Sequence, residues 1–291
     1  MTSFSIDAPR LPRAPSAAAN VAALAWRQTR DALRSRWFVL YTLAFTALGL
    51  GVSYVSARSA GAAGLAGFGR TTAGLLNLVL LVVPLMALNA GAASIASLRE
   101  RGMLPYLLAQ PIARWELLVG TWVGLAIALI ASIALGLGSC AGILAWKGEG
   151  TDPASLVWLT LLSMLLALAM LSVGILLSTL ARTASVATGT AVFLWLVFVF
   201  VTDLGLMAGT LAFKVRIETL FALCLANPLQ VFKFWSLHAV DASIDVLGPA
   251  GLYALDTWGD RLPWLFAGSM LAWIVVPFAA AIAVFSRRSP T

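Results

Sequence analysis

The sequence predicts an all-α membrane protein with six transmembrane helices and a preceding interfacial helix. Hydrophobic residues make up 61% of its 291 residues, charged residues make up only 11%, and the mean hydropathy is +0.94. A soluble chain carries about a quarter charged residues. The apolar residues also form runs of about twenty or more, the length that crosses about 30 Å of hydrocarbon. These observations exclude an ordinary soluble domain.

Two segments precede the first apolar run. Residues 1–18 contain three prolines and lack the apolar core of a signal peptide, so they predict a disordered, uncleaved cytoplasmic tail. Residues 19–36 mix Leu24, Trp26 and Leu33 with several arginines. That mixture predicts an amphipathic helix that lies in the membrane interface.

The following apolar runs form one transmembrane domain over residues 37–286, and a short cytoplasmic tail follows at 287–291. Each run is long enough for a membrane-spanning helix. The six predicted spans cover 37–56, 73–97, 118–146, 155–180, 184–208 and 263–286.

The basic residues orient these spans. With the N-terminus inside, twelve of the 19 Lys and Arg residues fall in cytoplasmic segments and seven in external ones. This bias predicts that both termini are cytoplasmic. The formal net charge of +7 does not indicate a nucleic-acid partner, because the basic residues flank apolar spans and form no stripe on a soluble face. The expected surroundings are membrane lipid.

Residue types that carry chemistry are scarce. Lys147, Lys214 and Lys233 are the three lysines, and Gly, Val and Phe follow them, so the sequence has no Walker-type phosphate-binding loop. There is one histidine, and Cys140 and Cys224 belong to no metal-binding spacing. We expect the cysteines to be small buried hydrophobes, and a disulfide between them stays open. No metal, bound cofactor or catalytic constellation is predicted, so the chain is not expected to be an enzyme.

Three polar residues in the spans, Asn77, Asn89 and Asp203, are candidates for a path or for helix–helix contacts. Asn77 and Asn89 are twelve residues apart and are predicted to lie close to one helical face. They would line a path or bridge two helices. Gly120 and Gly124 form a small-xxx-small pair, which allows close helix approach within the chain or in a dimer.

The segment 98–117 separates the second and third spans and is predicted to be cytoplasmic. Arg99, Glu100 and Arg101 end the second span, and Gly102 is expected to be flexible. The other candidate residues are an apolar patch, a helix-breaking proline and the charges that begin the third span: Tyr106, Leu107, Leu108, Pro111, Arg114 and Glu116. The pattern favours a short interfacial helix that can take a push from a soluble partner, and an ordinary charged loop is the alternative.

The external segment 209–262 is too long for a simple turn. Asn227 followed by Pro228 is typical of a helix start. We expect two short amphipathic helices that rest on the outer membrane face, with a solvated loop as the alternative. Asp241 and Asp245 belong to an acidic stretch that faces a partner or water.

Residues 99–104 and 107–116 resemble the coupling segment of ABC-2 type permeases. Pro105 departs from that pattern, in which an acidic residue is usual. Residues 227–232 are similar to the Asn-Pro element in the last external loop of the same family. The resemblance implies a type V-like ABC-2 permease fold in the bacterial inner membrane. It also implies that a separate ATPase docks on the candidate residues of the 98–117 segment.

Residues 67–77 and 83–86 are similar to the NosY subfamily of these permeases, from the maturation system of nitrous oxide reductase. The resemblance implies a homodimer with two NosF-like ATPase subunits, which bind ATP and Mg²⁺, and a NosD-like periplasmic accessory protein. The implied task is to supply a sulfur species, or to energise copper delivery, for assembly of copper clusters. The outer docking candidates are then Asn227, Pro228, Asp241 and Asp245.

Two alternatives stay open at this point. The chain could be a general ABC-2 exporter of a drug, lipid or saccharide, or a non-transporting membrane anchor that transmits force to a periplasmic chaperone. A membrane enzyme is disfavoured because the sequence shows no catalytic constellation. An ion-driven transporter is disfavoured because no Asp, Glu or His lies deep in a predicted span.

Overall fold

The computed structural model describes residues 16–63, 66–146, 153–201, 217–239 and 249–287. In these ranges the secondary structure is helical throughout, and no strand occurs. The helices are α1 Ala17–Arg34, α2 Arg36–Ala63, α3 Ala66–Glu100, α4 Met103–Leu108, α5 Arg114–Trp146, α6 Pro153–Leu180, α7 Ala184–Leu196, α8 Ile217–Leu225, α9 Pro228–Ala239, α10 Pro249–Trp258 and α11 Leu262–Arg287. A π-helical turn, Val197–Val201, extends α7.

Five helices are long and apolar enough to cross a membrane: α2, α3, α5, α6 and the helix that ends at Arg287. A multi-pass helical membrane protein is therefore confirmed. The predicted fifth span, 184–208, corresponds to the shorter apolar helix Ala184–Phe200, and its remainder lies outside the described residues. The bent pair α8–α9 would raise the number of spans to six if it is counted as one. The six-span arrangement stays a prediction.

Helices α3 and α6 cross closely at two glycines. A Cβ atom placed on Gly174 would lie 2.5 Å from the carbonyl oxygen of Leu88, and one on Gly91 would lie 2.8 Å from that of Leu171. Ser178 ties the same crossing, because its Oγ accepts from the amides of Ile95 at 2.9 Å and Ala96 at 2.8 Å. Without side chains between the backbones, the helices gain contact area and hydrogen bonds that do not depend on the hydrophobic effect.

Helix α5 carries α2 on one side and α1 on another. The predicted pair Gly120 and Gly124 is used within the chain, since a Cβ on Gly120 would lie 2.6 Å from the Cβ of Leu24, and one on Gly124 would meet the carbonyl oxygen of Ala25. Thr29 Oγ1 donates to the Gly124 carbonyl at 2.9 Å. Close backbone approach is what such spacing permits. Helix α1 therefore packs directly against α5, which is the third predicted span.

Helix α1 is amphipathic, with one buried face and exposed residues on its other sides. Ala25, Thr29 and Ala32 are buried against the bundle, while Trp26 is 72% exposed. Ser16 caps the helix, with its Oγ accepting from the Ala19 amide at 3.4 Å. The helix begins at Ala17, two residues before the predicted start at 19. A helix with small buried residues on one face and exposed aromatic and basic residues on the others is suited to the edge of a membrane.

Helix α9 differs from the prediction for the outer segment. We expected two short amphipathic helices resting on the membrane face, but α9 is buried along most of its length and packs against α6 and α11. Phe234 packs edge-on and Trp235 packs at a tilt against Phe266 of α11, with ring centroids 6.4 Å apart in both pairs. Helices α8 and α9 meet at 102°. The apolar face of a helix can be buried by protein or by lipid. The amphipathic pattern alone therefore did not show which of them covers α9.

Several predictions fall on residues that the structure does not describe. These are most of the tail 1–18, the end of the fifth predicted span, the last residues of the chain, and Asp203, Asp241 and Asp245.

Candidate functional site

The segment between α3 and α5 is a short helix with an inner and an outer face. Leu104 and Leu107 of α4 are buried, whereas Tyr106 is 73% exposed. The predicted apolar patch of Tyr106, Leu107 and Leu108 is therefore divided, because successive residues of a helix point about 100° apart. Tyr106 points away from the bundle together with Met103, which is also exposed.

Gly102 sets the direction in which α4 leaves α3. Its φ is +68°, in the left-handed region, and its amide donates to the Arg99 carbonyl at 3.0 Å. Helices commonly end at a residue in this conformation. The residue is usually glycine, because a side chain with a Cβ would be strained there. We expected Gly102 to provide flexibility, and the structure instead gives it a defined turn.

Two arginines of the segment bind the carboxyl ends of other helices. Arg99 Nη1 donates to the carbonyl of Ala181, directly after α6. Arg114 Nη1 donates to the carbonyls of Ser286 at 3.1 Å and Phe285 at 3.3 Å, in the last turn of α11. The last carbonyls of a helix have no partner within the helix and carry partial negative charge, so a guanidinium both satisfies and stabilises them.

Two glutamates of the segment bind the amino ends of helices. Glu100 Oε2 accepts from the amide of Ala184, the first residue of α7, at 2.9 Å. Glu116 Oε2 accepts from the amide of Ala113 at 3.2 Å, immediately before α5, and from Nδ2 of Asn20 in α1 at 2.9 Å. A carboxylate complements the partial positive charge and the unpaired amides of a helix start.

Together, these four charges connect the segment to five helices. Glu116 is only 7% exposed, and it joins the start of α5 to α1. The other three residues hold the ends of α6 and α11 and the start of α7. Any displacement of the segment would therefore be transmitted to helix ends that are far apart in the sequence. Arg101 is exposed and takes part in none of these contacts.

Replacing Glu116 with alanine should lower the stability of the chain by about 1–2 kcal/mol, because the start of α5 loses its acceptor and Asn20 keeps only the Pro111 carbonyl, at 3.4 Å. Thermal unfolding of the purified chain would measure the loss. Trypsin should also cleave faster at Arg27 and Arg30, since α1 would detach more often. Glu116→Gln is the matched control, because its amide oxygen keeps one acceptor. Equal unfolding temperatures for wild type and Glu116→Ala would contradict the assigned contacts.

A cavity of about 900 Å³ adjoins the segment between α1, α2, α3 and α7. Its polar lining includes Arg27, Asp31, Asn89, Arg101 and Thr188. Arg27 and Asp31 form an exposed ion pair at 3.6 Å, which contributes little to stability. The cavity joins the exposed face of the segment to the interior of the bundle.

The two asparagines of α3 do not share an environment. Asn89 is half-buried and lines the cavity, whereas Asn77 is exposed on the surface of the bundle. Twelve residues correspond to a rotation of about 120° around a helix, so our expectation that they lie close to one face was wrong. A path role remains a prediction for Asn89.

Comparison with known proteins identifies the family. A family model described as "ABC-2 family transporter protein" matches residues 22–289. The chain is 31% identical over 271 residues to "Probable ABC transporter permease protein NosY" of Stutzerimonas stutzeri, covering 91% of this chain and 97% of that protein. It is also 31% identical over 275 residues, with the same coverage, to the protein of the same name from Pseudomonas aeruginosa. The chain belongs to the ABC-2 transporter family.

The Asn-Pro element of this ABC-2 protein lies at the junction of α7, α8 and α9. Asn227 Oδ1 accepts from the Leu229 amide at 2.9 Å, which caps α9, and its Nδ2 donates to the Phe198 carbonyl in the π-helical turn at 2.6 Å. Asn227 and Pro228 are both buried. A partner protein would therefore contact the surface that these residues support, and not their side chains.

Sequence reasoning missed the internal partners of the charged residues in the 98–117 segment. Asn20 and Ala184 lie far from Glu116 and Glu100 in the sequence, and the Ala181 carbonyl is a backbone group with no sequence signal. One signal was available, since Glu116 stands three residues after Ala113, the spacing of a capping glutamate.

Proposed function

We propose that this ABC-2 permease is the NosY-like membrane subunit of a system that matures nitrous oxide reductase. Both relatives named above carry the NosY name, and both match nearly the whole of their own length. In this proposal two copies of the chain form a homodimer in the inner membrane, with both termini and the 98–117 segment in the cytoplasm.

ATP hydrolysis would take place in two separate NosF-like subunits, which bind ATP and Mg²⁺. The sequence of this chain contains no Walker-type phosphate-binding loop. The division of the 98–117 segment into two faces carries the proposal. Tyr106, Met103 and Arg101 offer an exposed face to an ATPase, while the charges beside them hold the ends of other helices.

The work of the ATPase would then reach the membrane helices through these helix ends. Two arrangements of the bundle must differ in their affinity for the ATPase, because binding shifts an equilibrium only by that difference. Glu100 connects the segment to α7, and α7 leads through Phe198 to Asn227 at the opposite end. A NosD-like periplasmic protein on the outer segments would receive the change there.

Movement of a cargo is supported by the cavity beside the segment. A volume of about 900 Å³ is within the usual range for a small-molecule site. The proposed cargo is a sulfur species for the copper clusters of the reductase. Force transmission without cargo uses the same helix contacts but does not require the cavity.

Co-expression with the ABC ATPase encoded in the same genome tests the coupling role. We expect a complex in which this chain stimulates ATP hydrolysis. Glu100→Ala should keep ATPase binding but reduce the stimulation several-fold, because the start of α7 is released. Glu218→Ala, an exposed glutamate in α8, is the control and should have no effect. A chain that binds no ABC ATPase would refute the proposal.

Deletion of the gene in its own bacterium tests the maturation role separately. Nitrous oxide reductase from that strain should lack copper by metal analysis and lose its visible absorption bands. A fully copper-loaded enzyme would exclude this role and leave the permease assignment intact.

A further inference from the structure

A shallow groove of about 600 Å³ runs along the side of α2 that faces away from the bundle. Its floor is apolar and exposed, and Leu43 at its centre is 64% exposed. Two arginines, Arg34 and Arg36, form one end of the groove. The apolar floor consists of Val39, Leu40, Leu43, Ala44 and Ala47.

The arginines stand at the corner between α1 and α2. Arg34 is the last residue of α1, Arg36 is the first of α2, and only Ser35 separates them. Both are exposed, and neither belongs to the ion pair Arg27–Asp31. No carboxylate lines the groove. The groove therefore pairs uncompensated positive charge with an apolar strip.

The dimensions of the strip match one leaflet of a bilayer. From Arg36 to Ala47 a helix rises about 17 Å at 1.5 Å per residue, and one leaflet contributes about 15 Å of hydrocarbon. The exposed Trp37 lies beside the arginines, where interfacial aromatics are expected. Arg34 and Arg36 would then be level with lipid headgroups, and the floor would be level with an acyl chain.

We propose that an anionic phospholipid binds this groove, with its headgroup held by Arg34 and Arg36 and one acyl chain along α2. A second copy of the chain fits less well, because the groove offers no carboxylate to neutralise the two arginines in a protein–protein contact. A single headgroup that bridges the two residues braces the corner between α1 and α2. The groove is separate from the coupling segment, so this inference goes beyond the proposed function.

Native mass spectrometry of the full-length chain tests the site directly. The chain is incubated in micelles that contain phosphatidylcholine with increasing phosphatidylglycerol. We expect wild type to retain phosphatidylglycerol selectively. The double variant Arg34→Gln/Arg36→Gln should bind it about thirtyfold more weakly, since each basic side chain near an anionic surface contributes about a factor of five.

The control is Arg182→Gln/Arg287→Gln, which removes the same charge from two exposed positions outside the groove. It should retain phosphatidylglycerol like wild type. If both double variants lost phosphatidylglycerol binding equally, general surface charge would explain the effect and the proposal would be overturned. Unchanged binding in both variants would also overturn it.

Two further measurements test whether the lipid stabilises the corner between α1 and α2, and whether lipid or a second chain fills the groove. Phosphatidylglycerol should raise the thermal unfolding temperature of wild type but not of Arg34→Gln/Arg36→Gln, because a ligand stabilises only the state that binds it. Leu43→Cys should form no disulfide cross-link between two chains under oxidation in liposomes. Efficient cross-linking of two chains through Cys at this position would show that a second copy covers the groove, and would overturn the lipid assignment.

Discussion

Gly174→Val is expected to destabilise the folded chain by separating α3 from α6. A Cβ atom at this position would lie 2.5 Å from the Leu88 carbonyl oxygen and 3.1 Å from the Ala92 amide nitrogen, both of them backbone atoms that cannot rotate away. Helices α3 and α6 would have to separate, and the Ser178 hydrogen bonds to α3 would be lost with their contact. We expect a loss of about 3 kcal/mol or more, because overpacking against rigid backbone has no side-chain relaxation to relieve it.

Thermal unfolding of the purified chain measures this effect. A shift of roughly 5–10 °C is expected for a chain of this size. Gly138→Val is the matched control, because a Cβ on Gly138 of α5 meets no atom within 4 Å. The control should be neutral or slightly stabilising, since valine is a better helix former than glycine. A Gly174→Val protein as stable as the control would show that α3 and α6 do not cross at this glycine.

Tyr106→Ala is expected to weaken binding of the ATPase subunit by about thirtyfold, without loss of stability. Tyr106 is 73% exposed at the centre of the outer face of α4, while its neighbours Leu104 and Leu107 anchor the inner face. Tyrosines at the centre of an interface often contribute about 2 kcal/mol or more when they are truncated. A titration of the detergent-solubilised chain with purified ATPase subunit gives the dissociation constant.

Trp264→Ala provides the comparison for this experiment. Trp264 is 81% exposed but stands near the start of α11, at the opposite end from the coupling segment. Its removal should leave ATPase affinity unchanged. If Tyr106→Ala binds the ATPase as tightly as wild type does, the outer face of α4 is not the docking surface.

The long helices were largely predictable, because each is a long, predominantly apolar run. The position of α9 was not predictable by the same reasoning. Its polar residues are spaced among apolar ones as in an interfacial helix, and only the packing of Phe234 and Trp235 on Phe266 shows that protein covers it. An amphipathic pattern indicates that a helix has an apolar and a polar environment, but it does not indicate whether protein or lipid provides the apolar one.

The candidate site was predicted as a location but not as an arrangement. The charge cluster and Gly102 marked the segment, yet Glu100 and Arg99 bind the α6–α7 connection, more than eighty residues away in the sequence. The crossing of α3 with α6 was equally hidden. Glycine and alanine are abundant in this chain, so nothing in the sequence separated Gly91 and Gly174 from glycines such as Gly138 and Gly142, which approach nothing.

The seat of α1 on α5 has a consequence for biogenesis. Asn20 is synthesised 96 residues before Glu116, which at about 5–20 residues per second means a delay of about 5–20 s. During that interval the ribosome has delivered the first helix but not the surface that will receive it. Trp26 and Leu33 would keep the nascent helix at the lipid headgroups until α5 is synthesised. The exposed side of α1 would therefore bind the membrane before the helix packs against α5.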